Sequence, residues 1–221
     1  MAVKIGLKYI DIWGDSMEDA VLAYEKETEE EAPKGQIVFY GPSNFTRWST
    51  AYGMTPVREV IRGKSGEKCV INRGFGSSCA EHQLYYYPRL VRPLEPKVLV
   101  YSFYGNGSAF GYSAEESWEL AQRVIAYALT DFPDIHIYLC SPNPRRDELK
   151  STEIGNRNRF TSWVRQFAEE TPNCYFIDMM NYEGYKRKDI YVEDGVHFNQ
   201  KGYDIYADFM REALKDELER F

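Results

Sequence analysis

"QIVFYGPSN", residues 36–44, sets large apolar side chains side by side with no polar alternation, then stops at Gly41-Pro42. A run of this kind suits a strand covered on both faces, and the Gly-Pro pair ends it. Four further runs share the character: "CVINRG" (69–74), "KVLVYSFYG" (97–105), "IHIYLCSP" (135–142) and "CYFIDMM" (174–180). Helical patterns separate them. "SAEESWELAQRVIAYALTDFP" (113–133) opens with a capping box at Ser113 and Glu116, and Trp118, Leu120, Val124, Ile125 and Ala128 recur near helical spacing. "RFTSWVRQFAEETP" (159–172) and the tail from Lys201 behave similarly. Strand alternating with helix implies right-handed crossovers and a parallel sheet sandwiched between helices. The expected fold is therefore α/β, a three-layer sandwich on a five-stranded parallel sheet.

The 221 residues, 43% hydrophobic, predict one domain over 1–221, with a helical extension at 1–35 and a core at 36–221. A formal charge of -7 argues against nucleic-acid or anionic-membrane partners, which need a basic face. "EKETEEEAP" (25–33) reads as a solvated helix face. No stretch nears the roughly 18 apolar residues of a membrane span. "MAVKIGLKYIDIWGDS" carries charges in its apolar part and no cleavage pattern, so the expectation is a cytoplasmic protein. Cys69, Cys79, Cys140 and Cys174 lack CxxC spacing and predict reduced thiols, mostly in buried runs. Nothing in the sequence calls for a metal or cofactor, and one chain specifies no oligomeric state.

In parallel sheets, functional groups gather where strands end. There the sequence offers Gly41-Pro42-Ser43-Asn44, Asn72-Arg73-Gly74-Phe75-Gly76-Ser77-Ser78, Tyr104-Gly105-Asn106-Gly107 and, near the C-terminus, Asp194-Gly195-Val196-His197. Acyl transfer needs a nucleophile, a base with an orienting partner, and donors for an oxyanion. Each part is supplied once, from a different loop.

"IVFYGPSNFTRW", "VINRGFGSS", "YGNG" and "DGVHFNQKGY" resemble, in order, the four blocks of the SGNH (GDSL-type) hydrolases. The match is to the branch whose first block reads Gly-x-Ser. The resemblance implies a flavodoxin-like fold and ester hydrolysis through a serine acyl-enzyme. It implies Ser43 as nucleophile, His197 as general base and Asp194 as its orienter. Asp178, near the end of the fifth run, ranks second as orienter because it lacks a short spacing to a histidine. The implied oxyanion donors are the Ser43 N–H, the Asn106 amide and an N–H from the second loop. Alignment gives that last donor to Ser77, where the family usually has glycine, and Gly76 is its rival. Pro42, Ser77 and the missing Asp after Asn106 are departures from the family pattern.

The literal "GDS" at 14–16 competes with Ser43. Using Ser16 would leave the strand at 36–41 without a block, and Asp15 or Ser16 can instead cap a helix carrying Val21 and Leu22. Ser43 is preferred. His82 and His136 read as structural, Arg47 and Trp48 as packing or loop-fixing groups. Phe103, Tyr104, Phe110 and Tyr112 form an aromatic cluster read mainly as packing. Asp194 spaced three before His197 predicts contact across one helical turn, and the carboxylate is expected to raise the imidazole pKa. The expected substrate is a small ester, with O-acetyl groups on carbohydrate one class. An acyltransferase using the same residues and a silent binding module are the alternatives.

Overall fold

In the computed structural model, residues 7–30, 32–147 and 149–221 are described, with side chains from Met17 onward. The first half runs α1 (Leu7–Glu30), β1 (Ile37–Gly41), α2 (Ser43–Thr46), α3 (Val57–Val60), β2 (Val70–Gly74), α4 (Ala80–Leu90) and β3 (Val98–Tyr101). The second runs α5 (Ala114–Asp131), β4 (His136–Cys140), α6 (Ser151–Glu170), β5 (Cys174–Ile177), α7 (Gln200–Ala213) and α8 (Lys215–Leu218). The strands form one parallel sheet in the order β2-β1-β3-β4-β5. The architecture is the expected three-layer α/β/α sandwich of flavodoxin-like form. No described helix is long and apolar enough to cross a membrane.

Period-two geometry divides the strand residues between two cores. Val38 and Tyr40 of β1 join Leu99, Ile137, Leu90, Val124 and Phe160 on one side. Ile37 and Phe39 join Val100, Cys140, Tyr203, Tyr206 and Met210 on the other. Both faces of β1 are buried, which is why its sequence lacks alternation. The fifth run differs from expectation. At the sheet edge, β5 leaves Tyr175 exposed, with its ring stacked on Tyr138 of β4.

The 113–116 capping box closes: Ser113 Oγ accepts from the Glu116 N–H at 3.1 Å, and a Glu116 carboxylate oxygen from the Ser113 N–H at 2.7 Å. All four cysteines are free and buried. The N-terminal reading needs correcting. Helix α1, Leu7–Glu30, passes through Asp15 and Ser16 unbroken, so neither residue caps it. The Ser16 side chain lies outside the described residues. Further along α1, Met17 and Val21 enter the core, and Tyr24 Oη donates to the Gly74 carbonyl at 2.7 Å.

Gly74 sits where β2 meets α2. A Cβ there would lie 2.5 Å from both Phe45 Cβ and the Thr46 backbone nitrogen. Gly74→Ala should therefore destabilise the protein by about 1–3 kcal/mol through overpacking, read as a lower denaturant midpoint. An unchanged midpoint would mean that α2 shifts freely.

Candidate active site

The turn after β1 is held from three sides. Gly41 lets β3 approach, since a Cβ there would meet the Ser102 carbonyl oxygen at 2.6 Å. Asn72 Nδ2 donates to the Phe45 carbonyl at 2.7 Å, while Asn72 Oδ1 accepts the Gly74 N–H at 2.9 Å. Tyr203 Oη on α7 donates to the Asn44 carbonyl at 2.9 Å. Buried Trp48 stacks on Tyr206 with centroids 4.8 Å apart. Extended Pro42 then starts α2 at Ser43, whose N–H stands in the first helical position, beyond reach of any intrahelical carbonyl.

His197 arrives from the loop before α7. Its Nε2 lies 2.8 Å from Ser43 Oγ, and its Nδ1 lies 2.7 Å from Asp194 Oδ2. A carboxylate only accepts, so Nδ1 carries the ring proton and Nε2 is left to accept from the hydroxyl. The Asp194–His197 contact is not made across a helical turn. Residues 192–195 form a tight turn, with the Gly195 N–H donating to the Val192 carbonyl at 3.1 Å and Gly195 at φ +69°. Asp194 Oδ1 then accepts the N–H groups of Val196 and His197, both at 2.9 Å. Arg146 braces the loop from outside, donating to the Val192 and Glu193 carbonyls at 3.3 and 2.9 Å.

Electrostatics also departs from expectation. Burial pulls the His197 pKa below its usual value, and nearby Arg47 and Arg145 work the same way, so the Asp194 contribution is outweighed. Partial burial opposes ionisation of Asp194, but hydrogen bonds from the His197 N–H, its ring and the Val196 N–H prevail and hold its pKa at about 2. Arg47 Nη1 lies 3.5 Å from Asp194 Oδ2. It is a neighbour of this pair as well as a loop-fixing group.

Asn106 and Ser43 line one cleft of about 50 Å³. Asn106 Nδ2 donates one proton to the Ser78 carbonyl at 2.9 Å, which leaves the amide its second proton. Where the family has aspartate, Gly107 packs on helix α5 so tightly that a Cβ would lie 2.5 Å from Ser117 Oγ. Ser77 adopts φ +60°, the left-handed backbone that a glycine replacement requires. Among the described residues, Ser77 and Gly76 stand on the adjoining turn rather than in the cleft lining.

The remaining candidates lie elsewhere. Asp178 is taken by Arg165 at 2.6 Å and by Asn181. His82 contacts Cys79, and His136 contacts Glu217. Phe103, Phe110 and Tyr112 are buried, and only Tyr104 of that aromatic group reaches the cleft. The loop after β4 brings Asn143, Pro144 and Arg145 to the same cleft, with Arg157 of α6 behind them. From sequence, the 143–158 segment is expected to shape the pocket, but none of these residues is singled out. The strand-end rule applied to "SPNPRR" (141–146) would have singled out Asn143 and Arg145.

The arrangement can activate a hydroxyl and offers donors beside it, the requirements of acyl transfer. The model of the GDSL-like Lipase/Acylhydrolase family matches residues 35–205. No curated protein matches the chain. Among solved structures, a GDSL-like lipase from Bacteroides thetaiotaomicron VPI-5482 is 19% identical, covering 89% of this chain and 98% of that one, with TM-score 0.69. The acetyl xylan esterase AlAXEase is 23% identical, covering 81% and 99%, with TM-score 0.65. The C-terminal catalytic domain of Streptococcus pneumoniae peptidoglycan O-acetyltransferase A is 17% identical, covering 83% and 94%, with TM-score 0.60.

Proposed function

The chain belongs to the GDSL-like lipase/acylhydrolase family, and from that membership we propose that it is a serine esterase removing short acyl groups, O-acetyl groups on carbohydrate included, through an acyl-enzyme on Ser43. The observation that carries the proposal is the relay from Ser43 Oγ to His197 Nε2 and from His197 Nδ1 to Asp194, at 2.8 and 2.7 Å. The small cleft beside Ser43 favours a short acyl group. An acetyl xylan esterase among the structurally similar proteins suggests acetylated sugar as the substrate class.

In this mechanism Ser43 Oγ attacks the ester carbonyl while His197 Nε2 takes its proton. The carbonyl oxygen becomes an oxyanion facing the Ser43 N–H, the free Asn106 amide proton and the N–H of Ser77 or Gly76. Each such donor contributes about 3 kcal/mol of transition-state stabilisation. The imidazolium returns its proton to the departing alcohol oxygen, leaving the acyl group on Ser43. Water activated by His197 then releases the acid and restores the serine.

Only the neutral imidazole is a base, and His197 holds its proton less tightly than usual. The acid limb of kcat/KM on a neutral ester is therefore expected below pH 6.5, the ordinary imidazole value. Arg47→Gln removes a nearby cation and should move that limb upward. A wild-type limb above pH 7 would contradict the lowering of the His197 pKa by burial and the two arginines.

Transfer of the acyl group to a sugar hydroxyl uses the same acyl-enzyme, and the likeness to an O-acetyltransferase catalytic domain favours keeping that reading. Hydrolysis of 4-nitrophenyl acetate with and without added sugar tests both. Acetate as the main product supports the esterase, acetylated sugar supports the transferase, and no turnover of any ester removes both.

A further inference from the structure

The structure buries two arginines, Arg73 and Arg157, and treats them differently. Arg73 has its counter-charge: Nη1 lies 3.1 Å from Glu27, and its guanidinium lies over the Tyr24 ring at 4.8 Å. Arg157 is only 4% exposed and has no carboxylate within ion-pair distance among the described residues. It donates from Nη2 to the Asn143 carbonyl and lies over the Tyr104 ring at 5.6 Å. Glu153, one turn earlier on α6, attracts it without pairing. A cation taken out of water with no paired counter-charge among the described residues is costly, and this one lines the cleft that holds Ser43.

The surroundings extend the pattern. Arg157, Arg145 and Pro144 also line an adjoining cavity of about 340 Å³. Among the described residues lining the cleft and this cavity there are arginines and Lys186 but no aspartate or glutamate. Lys186 is occupied by Glu183 at 2.6 Å, whereas Arg145 is exposed with no carboxylate within ion-pair distance among the described residues. Asn143 lines the cleft too, and its buried Oδ1 has no hydrogen-bond partner among the described residues, so it can accept from a hydroxyl.

We propose that Arg157 and Arg145 bind a carboxylate on the alcohol portion of the ester, which makes the substrate class O-acetylated sugar acids. The guanidinium fork matches a carboxylate's two oxygens. The alcohol portion is assigned because the narrow cleft limits the acyl group, while the larger cavity has room for a sugar ring. The proposal rests on the esterase reading above.

The test compares two O-acetylated methyl glycosides, a glucuronide and a glucoside, with 4-nitrophenyl acetate as a neutral reference. Wild-type kcat/KM is expected to favour the glucuronide over the glucoside by about ten- to hundred-fold, as loss of a hydrogen bond to a charged group implies. Arg157→Gln and Arg145→Gln should each bring that ratio toward one. Arg145 is exposed, so its variant tests the point even where Arg157→Gln fails to fold. Unacetylated methyl glucuronide should compete with the aryl ester for wild-type protein, and methyl glucoside should not. Turnover of the aryl ester with a glycoside ratio at or below one overturns this inference alone. So does a wild-type preference that both variants retain. Absence of turnover on all three esters overturns the esterase reading and this inference with it.

Discussion

Ser43→Ala should lower kcat on 4-nitrophenyl acetate by about 10⁴- to 10⁶-fold, the loss seen when a serine hydrolase keeps its oxyanion donors but has no nucleophile. The substitution removes one oxygen whose described protein contact is the His197 ring at 2.8 Å. The α2 turn keeps its clamps from Asn72 and Tyr203, so the far-UV circular dichroism spectrum should not change. His197→Ala should cost about as much, and the double variant little more, because residues acting as a unit are strongly non-additive. A loss below about tenfold in Ser43→Ala would remove Ser43 from the chemistry.

Asp194→Asn is expected to reduce kcat by about 10³- to 10⁴-fold, through the imidazole rather than through the fold. An asparagine oxygen can still accept the Val196 and His197 N–H groups that Oδ1 accepts now, so the turn has the means to persist. The amide nitrogen then faces Nδ1, and only an unprotonated Nδ1 can accept from it. That tautomer puts the ring proton on Nε2, pointing at Ser43, where a base is required. Asp194→Ala removes the turn's hydrogen bonds as well, and should lower the denaturant midpoint where Asp194→Asn does not. Equal midpoints for the two variants, with activity retained in Asp194→Asn, would reduce Asp194 to a turn former.

The sheet was legible because β1 to β4 are covered on both faces, and their unbroken apolar runs report that burial directly. "CYFIDMM" has the same apolar look and read as a buried strand, although Tyr175 is exposed beside Tyr138. The four loops could be assigned to one rim because parallel strands end together. Local geometry inside a loop was less accessible. The three-residue spacing of Asp194 and His197 fits a helical turn and a Gly195-centred turn equally well, and only backbone hydrogen bonds distinguish them. The His197 pKa was misjudged for a related reason. The carboxylate beside it is visible in sequence, whereas the burial and the approach of Arg47 and Arg145 depend on tertiary packing. Arg157 was passed over because the helical pattern legible in the sequence begins only at Arg159, and a missing counter-charge is a property of space rather than of order along the chain.

The most direct measurement is peptide-mapping mass spectrometry after treatment with a fluorophosphonate, which forms a stable adduct only with an activated serine. One adduct is expected on the peptide holding Ser43, retained in Ser16→Ala and absent from Ser43→Ala. An adduct on Ser16, or full inhibition of wild-type ester turnover with Ser43 left unmodified, would contradict the assignment.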